Sequence, residues 1–254
     1  MKPGEEARII RADKRGWPRL AVHSMIVGRM RKGLFRVRAQ GLERLRASMD
    51  AEPGGTLFVA NHSCWWDLFL AHYLNEQVPV DGYGMMEHAN LKRFRFFNRI
   101  GAFSVDREDL ASVRASLDYT CELLERPRSG VWIFPQGKIV ANDARPLDFR
   151  PGLRALVRRA GRVRITPAAL RYEFWQDERP EAFVRFSEPR WYTRDDLPLL
   201  LGSVEERLIA ELDALNVDVR SQEAGRFTTL LQGRESISER YGRFVAGLRR
   251  ERPG

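Results

Sequence analysis

Two residues of one short segment have the types and the spacing of a proton-transfer pair. His62 is one of four histidines in the chain, and an imidazole can accept a proton near neutral pH. Asp67 lies within one helical turn of it, so its carboxylate can reach the ring. Such a carboxylate fixes the tautomer and stabilises the imidazolium that forms when the other nitrogen takes a proton. The pair predicts a general base for a substrate hydroxyl, and the alternative is a structural histidine at a helix start.

This segment follows Thr56–Ala60, an apolar, β-branched stretch that is typical of a buried strand. Strand and helix patterns alternate beyond it, which predicts right-handed βαβ units and a largely parallel sheet. Ligands bind beyond the carboxyl ends of such strands, where His62 and Asp67 would lie. Further strands are predicted at residues 102–105, 131–134, 164–170 (broken by Pro167) and 182–186, and helices at residues 68–74, 110–124 and 153–160.

The two ends of the chain differ from this central pattern. Apolar residues at helical spacing, surrounded by arginines, predict an amphipathic helix over residues 17–37. After Thr193 an apolar stripe predicts a helix over residues 200–215, and a second helix is predicted over 227–248. The whole is predicted as an α/β fold, with a mostly parallel central sheet flanked by helices, an N-terminal amphipathic helix and a C-terminal helical segment. We divide the chain into a basic arm (1–48), a catalytic α/β core (49–192) and a helical segment packed on the core (193–254).

The net charge of +9 comes entirely from the arm. Residues 1–48 hold 13 Lys/Arg and 4 Asp/Glu, and the remainder holds 30 of each. Such a basic extension indicates an anionic partner, either nucleic acid or a membrane surface, or else it is solvated without a partner. The arm lacks the basic and aromatic pattern of a nucleic-acid motif, and its apolar content suits lipid. We predict membrane-surface binding through the N-terminal helix and no nucleic-acid partner.

Length and composition exclude several classes of protein. A chain of 254 residues with 43% hydrophobic residues fits one globular domain with an appended helical segment. No apolar run approaches the roughly 20 residues of a bilayer span, and no signal-peptide pattern is present. Two cysteines cannot form a disulfide framework, which favours a reducing compartment. We expect a cytoplasmic protein, peripherally associated with the inner face of the membrane.

Other kinds of chemistry have weaker support. Cys64 lies too close to His62 in the chain to use it as a base, and Ser63 lacks the glycines of a nucleophile elbow. The spacings of His62, His72 and His88 are not those of common zinc sites. No phosphate-binding glycine loop of the Walker or dinucleotide type occurs. We therefore expect no metal ion and no cofactor.

Four sequence elements, in this order, resemble the lysophospholipid acyltransferase superfamily, which includes the 1-acylglycerol-3-phosphate acyltransferases. The first is the Asn-His, four residues and Asp pattern, and the second is a strand that ends in Asp-Arg after a glycine. The third is a strand that runs into Phe-Pro and glycine, and the fourth is a proline in a late strand. They stand here as NHSCWWD (61–67), GAFSVDR (101–107), VWIFPQG (131–137) and ITPAA around Pro167.

The resemblance implies an O-acyltransferase that moves a fatty acyl group from acyl-CoA or acyl-carrier protein to a hydroxyl of a glycerophospholipid-type or related lipid. In this reading the acyl thioester is a co-substrate. His62 deprotonates the acceptor hydroxyl and Asp67 orients His62. The residues implied to bind substrate are Arg107, for the acceptor phosphate, and Gln136, Gly137 and Lys138 of the turn after the third strand.

The third element departs from the family pattern, which continues after Phe-Pro as Glu-Gly-Thr-Arg-Ser. Gln136 replaces the glutamate and keeps its hydrogen bonding without the charge, while Ile139 occupies the arginine position. Lys138 can supply a cation, but as a point charge with different geometry. Alternative acceptors are therefore a glycolipid or a carotenoid glycoside. A thioesterase-like hydrolase, in which His62 activates water, is a further alternative.

Six arginines follow this turn closely. They predict either a cationic surface or the solvated face of one helix and its flanks. The surface would bind the phosphates of coenzyme A, an acidic carrier protein or lipid head groups. The six are Arg150, Arg154, Arg158, Arg159, Arg162 and Arg164.

Overall fold

The computed structural model of the chain describes residues 9–235 except 53, 79 and 176, and also residue 241. Nine strands in these residues form one sheet with helices on both faces. Five of the strand pairings are parallel and three are antiparallel, which confirms the predicted α/β class. The strands are β1 (Arg36–Gln40), β2 (Thr56–Ala60), β3 (Asp81–Glu87), β4 (Ala102–Val105), β5 (Ser129–Ile133), β6 (Arg162–Glu173), β7 (Glu181–Phe186), β8 (Arg190–Thr193) and β9 (Thr228–Gln232).

The carboxyl ends of four neighbouring strands meet at one edge of the sheet. The strand order is β4-β3-β5-β2-β6-β7-β1-β9, and β8 pairs with β6 beside this path. β2 is parallel to β5 and β6, and β3 is parallel to β4 and β5. The segments that follow β2, β3, β4 and β5 therefore lie close together, where ligands bind in parallel sheets.

Two apolar layers cover the sheet. One layer contains buried side chains of the first three helices, and the other contains buried side chains of the last three. β2 contributes to both layers because successive side chains of a strand point to opposite faces. Leu57 and Val59 face the second layer, and Phe58 and Ala60 face the first. The helices are α1 (Pro18–Gly33), α2 (Leu42–Ala51), α3 (Asp67–Asn75), α4 (His88–Arg93), α5 (Leu110–Leu124), α6 (Gly152–Ala160) and α7 (Leu200–Ser221), with 3-10 turns at Arg95–Ile100, Arg194–Asp196 and Ala224–Arg226.

The central elements follow the sequence prediction closely. The predicted strands at 56–60, 102–105, 131–134 and 182–186 are β2, β4, β5 and β7, and the predicted helices at 68–74, 110–124 and 153–160 are α3, α5 and α6. The helix predicted over 200–215 is α7. Among the described residues no helix combines the length and the apolar character that a membrane crossing requires.

The N-terminal helix is shorter than the predicted span of residues 17–37. α1 ends at Gly33, and β1 begins three residues later as an interior strand between β7 and β9. Val37 is buried in the first layer, whereas Arg38 is buried in an ion pair with Glu181. The basic side chains in this stretch led to the prediction of an amphipathic helix. Val37 and Arg38 instead point to opposite faces of the sheet, as successive side chains of a strand do.

The division of the chain at residues 48 and 192 stays a prediction.

Pro167 does not break its strand, contrary to the prediction. β6 runs without interruption over Arg162–Glu173. Its first part pairs antiparallel with β8 and its second part with β7, and Pro167 lies between the two pairings. A residue without an N–H is tolerated there because neither antiparallel ladder includes this position.

The prediction of a second C-terminal helix over residues 227–248 is wrong for the first residues of that range. Residues 228–232 form β9, which pairs antiparallel with β1. The hydrogen-bond groups of β1 at its outer edge explain this result, because a neighbouring strand satisfies them and a helix does not. The rest of that predicted helix lies almost entirely outside the described residues.

Candidate active site

The structure places His62 and Asp67 in direct contact. β2 ends two residues before His62, and Asp67 begins α3. His62 Nδ1 lies 2.7 Å from Asp67 Oδ2. Because a carboxylate oxygen only accepts, Nδ1 carries a hydrogen, so in the neutral ring Nε2 has the lone pair. The His62 side chain is 25% exposed and lines a cavity, so its ring is accessible to a substrate.

Four donors hold the carboxylate of Asp67, which is fully buried. Its Oδ2 accepts hydrogen bonds from the backbone N–H groups of Ser63 and Cys64, at 2.8 and 3.0 Å, as well as from His62. Its Oδ1 accepts from the hydroxyl of Tyr172 at 2.8 Å. The start of α3 adds the favourable end of a helix dipole. The carboxylate is therefore fixed in position, and through it so is the tautomer of His62.

Tyr172 of β6 is a site residue that the sequence did not reveal. Burial raises the pKa of its hydroxyl well above the usual value, and the nearby Asp67 carboxylate acts in the same direction. The hydroxyl therefore stays protonated and serves as a donor. The contact joins two residues 105 positions apart, so only the pairing of β6 with β2 brings them together.

Replacement of Tyr172 by phenylalanine is expected to lower kcat for the reaction at this site by about tenfold, because the Asp67 carboxylate loses one of its hydrogen bonds. The free energy of unfolding should fall by about 1–3 kcal/mol. Steady-state kinetics and urea unfolding measure the two effects. Tyr119→Phe, in the opposite apolar layer, is the matched control. A variant of Tyr172 with native kcat would show that this bond does not serve His62.

The loop after β5 holds the backbone of His62 on both sides. The His62 N–H donates to Gln136 Oε1 at 2.7 Å, and the Val140 N–H donates to the His62 carbonyl at 2.9 Å. Gln136 is buried. The side-chain oxygen of Gln136 thus positions His62, whereas its implied contact with substrate stays a prediction.

The asparagine of the Asn-His pair, Asn61, has a structural role. Its side chain donates to the Leu170 carbonyl at 2.9 Å and to Asn142 Oδ1 at 3.0 Å, and it accepts from the Leu170 N–H at 2.7 Å. These bonds fasten the end of β2 to β6, two residues before Tyr172. The same strand contact therefore positions both His62 and the tyrosine that supports Asp67.

Arg107, Gly137 and Lys138 lie together beside His62. Arg107 Nε donates to Glu87 Oε2 at 2.7 Å, and its Nη1 donates to the Gly137 carbonyl. Gly137 has φ of +67°, and a Cβ there would lie 2.9 Å from Arg107 Nη1 and from Arg150 Nε, so glycine is required. Lys138 is exposed and makes no salt bridge within the described part of the chain.

His62, Glu87, Arg107, Gly137 and Lys138 line one cavity of about 600 Å³, whereas Asp67, Tyr172, Asn61 and Gln136 support it from outside the lining. Its charged lining residues, apart from His62, are Glu87, Arg107, Lys138 and Arg150, so cations exceed carboxylates by two. The rest of the lining is mainly apolar. Leu117, Leu153 and Leu156 come from the second apolar layer, and Leu68, Phe94 and Phe97 come from the first. The cavity therefore extends across the edge of the sheet and can hold a long apolar chain next to His62.

The six arginines after the turn do not form one cationic surface. Arg150 lines the cavity. Arg164 is buried and bonds Thr56 and the carbonyl groups of residues 52 and 54, and Arg159 pairs with Asp118.

Cys64 is not suited to act as a nucleophile. Burial raises the pKa of the Cys64 thiol, which disfavours the reactive thiolate.

A comparison with known families gives one match. A sequence model of the family described as Acyltransferase matches residues 36–171, slightly more than half of the chain. The match begins with β1, contains His62, Asp67, Arg107 and the loop after β5, and ends in β6. No curated protein matches the chain. The chain belongs to the acyltransferase family, within the lysophospholipid acyltransferase superfamily, and it is an O-acyltransferase.

Proposed function

We propose that this acyltransferase moves a fatty acyl group from acyl-CoA or acyl-carrier protein to a hydroxyl of a glycerophospholipid-type or related lipid. The observation that carries the proposal is the His62–Asp67 pair, 2.7 Å apart, in the wall of a mainly apolar cavity with excess positive charge. His62 acts as the general base and Asp67 orients it.

The proposed reaction needs no covalent enzyme intermediate. Nε2 of His62 takes the proton of the acceptor hydroxyl while the hydroxyl oxygen attacks the thioester carbonyl carbon. The carbon–sulfur bond then breaks, the thiolate leaves, and the imidazolium returns the proton to the sulfur. A thiolate leaves far more readily than an alkoxide, so one transfer from donor to acceptor is sufficient. Asp67 stabilises the imidazolium while it carries the extra proton.

The cavity has an apolar part and a positively charged part, and each suits one part of the proposed substrates. Its apolar walls suit the acyl chain. Arg107, Lys138 and Arg150 supply the positive charge that a phosphate of the donor or acceptor requires. Arg107 already bonds Glu87, whereas neither Lys138 nor Arg150 pairs with a carboxylate among the described residues, so these two cations are open to an incoming phosphate.

A neutral glycolipid, such as a carotenoid glycoside, is the second candidate acceptor. Ile139 lines the cavity and is 55% exposed, and it presents an apolar surface where the family has an arginine. Gln136 carries no charge and its oxygen bonds the His62 backbone. The apolar side chain of Ile139 removes a positive charge that could bind a phosphate, whereas the neutral side chain of Gln136 removes a negative charge and does not argue against one.

The replacement Lys138→Ala distinguishes the two acceptor classes. We expect it to raise KM for a lysophosphatidate acceptor by about tenfold, with kcat within threefold, because it removes ground-state binding of the phosphate. Transfer to a glycosylated lipid should not change. Release of thiol from long-chain acyl-CoA measures both reactions, with the exposed Lys92→Ala as control. An unchanged KM would assign the phosphate elsewhere, and equal thiol release without any acceptor would indicate a hydrolase.

We also propose that α1 attaches the protein to an anionic membrane surface. Trp17, immediately before this helix, and Leu20 and Met25 within it are exposed at 78%, 69% and 43%. Arg29 and Lys32 of the helix are exposed as well. Apolar and cationic groups on one exposed helix suit the interface of an anionic bilayer. The cytoplasmic location at the inner membrane face remains part of this proposal.

The combined variant Trp17→Ala/Leu20→Ala tests this attachment without removing β1. We expect it to reduce co-sedimentation with phosphatidylglycerol vesicles several-fold, because the exposed apolar area of α1 falls. The exposed pair Leu199→Ala/Val217→Ala, at 78% and 58% exposure, is the control. Unchanged binding to vesicles, or salt-dependent binding to duplex DNA in their place, would contradict the proposal.

A further inference from the structure

Two histidines from different helices meet on the side of the sheet covered by α1 and α3. His23 of α1 and His72 of α3 approach to 3.1 Å between Nδ1 and Nε2. Glu76 follows His72 by one helical turn, just after the end of α3. One ligand atom from each of the three residues lies within 4.8 Å of the other two. None of the three lines the cavity at His62.

The arrangement has the dimensions of a tetrahedral metal site. Ligand atoms bound to Zn²⁺ at 2.0–2.1 Å are separated by about 3.3 Å in tetrahedral geometry. The two imidazole nitrogens are already at 3.1 Å. The carboxylate of Glu76 has to move by only a side-chain rotation, since the residue is exposed. Two imidazoles and one carboxylate, with water in the fourth position, form a ligand set that Zn²⁺ accepts.

The contacts of the three residues are compatible with metal binding. His72 is buried at 7% exposure beside His23. Arg19 lies 3.7 Å from Glu76 with both side chains more than 40% exposed, and a surface pair of this kind contributes little energy.

We propose that His23, His72 and Glu76 bind a divalent transition-metal ion of the Zn²⁺ class, which ties α1 to α3. The expectation of no metal ion rested on the spacings of His62, His72 and His88 along the chain, whereas the ligands proposed here come from α1, from α3 and from the residue after α3. Asp67 is the first residue of α3, so the metal would fix the helix that carries Asp67 to α1, which carries the exposed Leu20. Its role is structural, since the cavity lies elsewhere.

Zinc titration of the full chain after chelator treatment tests the proposal. Isothermal titration calorimetry should show about one equivalent of bound Zn²⁺, and Zn²⁺ should raise Tm. His23→Gln is expected to weaken binding at least tenfold and to remove the shift in Tm, and Glu76→Gln should weaken binding as well. His88→Gln and His62→Ala are matched controls that keep the three ligands. Circular dichroism establishes that each variant is folded.

Three results would overturn the proposal. The first is the absence of stoichiometric Zn²⁺ binding by the native chain, which would leave a direct His23–His72 hydrogen bond as the whole interaction. The second is native affinity in His23→Gln. The third is loss of binding in His62→Ala or His88→Gln, which would place the ion elsewhere. Cobalt substitution gives a separate signature, because Co²⁺ bound in a tetrahedral site absorbs visible light strongly and the hexahydrated ion does not.

Discussion

Replacement of His62 by alanine is expected to lower kcat for acyl transfer by about 10²–10⁴-fold, the usual contribution of a positioned general base. The acceptor hydroxyl then keeps its proton during attack on the thioester. The free energy of unfolding should fall by about 1–3 kcal/mol, because the buried Asp67 carboxylate loses its bond from the ring. The backbone contacts of residue 62 with Gln136 and Val140 remain, so the fold should survive. Thiol release from long-chain acyl-CoA, with a panel of lipid acceptors, measures the effect.

His88→Gln is the control for this experiment. His88 bonds Ser104 Oγ at 3.1 Å and is absent from the lining of the cavity, so its replacement should preserve most of the activity. Undiminished transfer by His62→Ala would contradict the proposed mechanism, whichever acceptor is used. Loss of transfer together with retained hydrolysis of the thioester would show that water, activated in another way, can still reach the carbonyl.

The replacement Asp67→Asn is expected to lower kcat by about 100-fold or more, because a neutral amide cannot stabilise the imidazolium of His62. The fold should survive. The amide oxygen can accept from His62, Ser63 and Cys64, while its NH₂ group can donate to the hydroxyl oxygen of Tyr172, which can also accept. Charge-assisted bonds become neutral ones, so the free energy of unfolding should fall by about 1–3 kcal/mol. Kinetics and urea unfolding measure the two changes.

The double variant His62→Ala/Asp67→Asn separates the orienting role from a direct one. If Asp67 acts only through His62, its replacement should have little further effect once the imidazole is absent, because the two residues function as a unit. Multiplicative losses would mean that Asp67 contributes to the reaction independently. Retained activity in the single Asp67 variant would weaken the orienting role and leave His62 as the base.

The parts of the site that come from one continuous segment were predictable. β2, the start of α3 and the contact between His62 and Asp67 all arise within twelve residues. A continuous apolar, β-branched run and a one-turn separation determine them locally. The helix α5 was equally visible because its apolar residues recur at steps of three and four, and Pro151-Gly152 indicated the start of α6.

The parts that depend on distant pairing were not predictable. Tyr172 reaches Asp67, and Asn61 reaches Leu170, only because β6 lies beside β2. No local pattern around Tyr172 distinguishes it from other half-buried tyrosines. The buried side chain of Gln136 likewise gave no local sign that its oxygen bonds the backbone of His62 rather than a substrate.

Four strands, β1, β3, β8 and β9, escaped prediction, and for two of them, β1 and β3, the reason is their composition. β1 contains Arg36 and Arg38, whose charge resembled the helix before it, although Arg38 is buried against Glu181. β3 contains Gly82 and Gly84 in place of β-branched residues. A Cβ at Gly82 would lie 2.0 Å from the side chain of Asn75, so helix packing requires glycine there against the ordinary preference of a strand.

The position of β1 has a consequence for the synthesis of the protein on the ribosome. Both of its neighbours come late in the chain, since Val37 pairs with Ala182 on one side and with Leu231 on the other. At roughly 5–20 residues per second, the first strand emerges roughly 10–40 s before the last strand that pairs with it. During that time its backbone groups are open to other chains. The alternating arginines of β1 therefore also discourage aggregation of the nascent chain, until translation delivers the partners that enclose them.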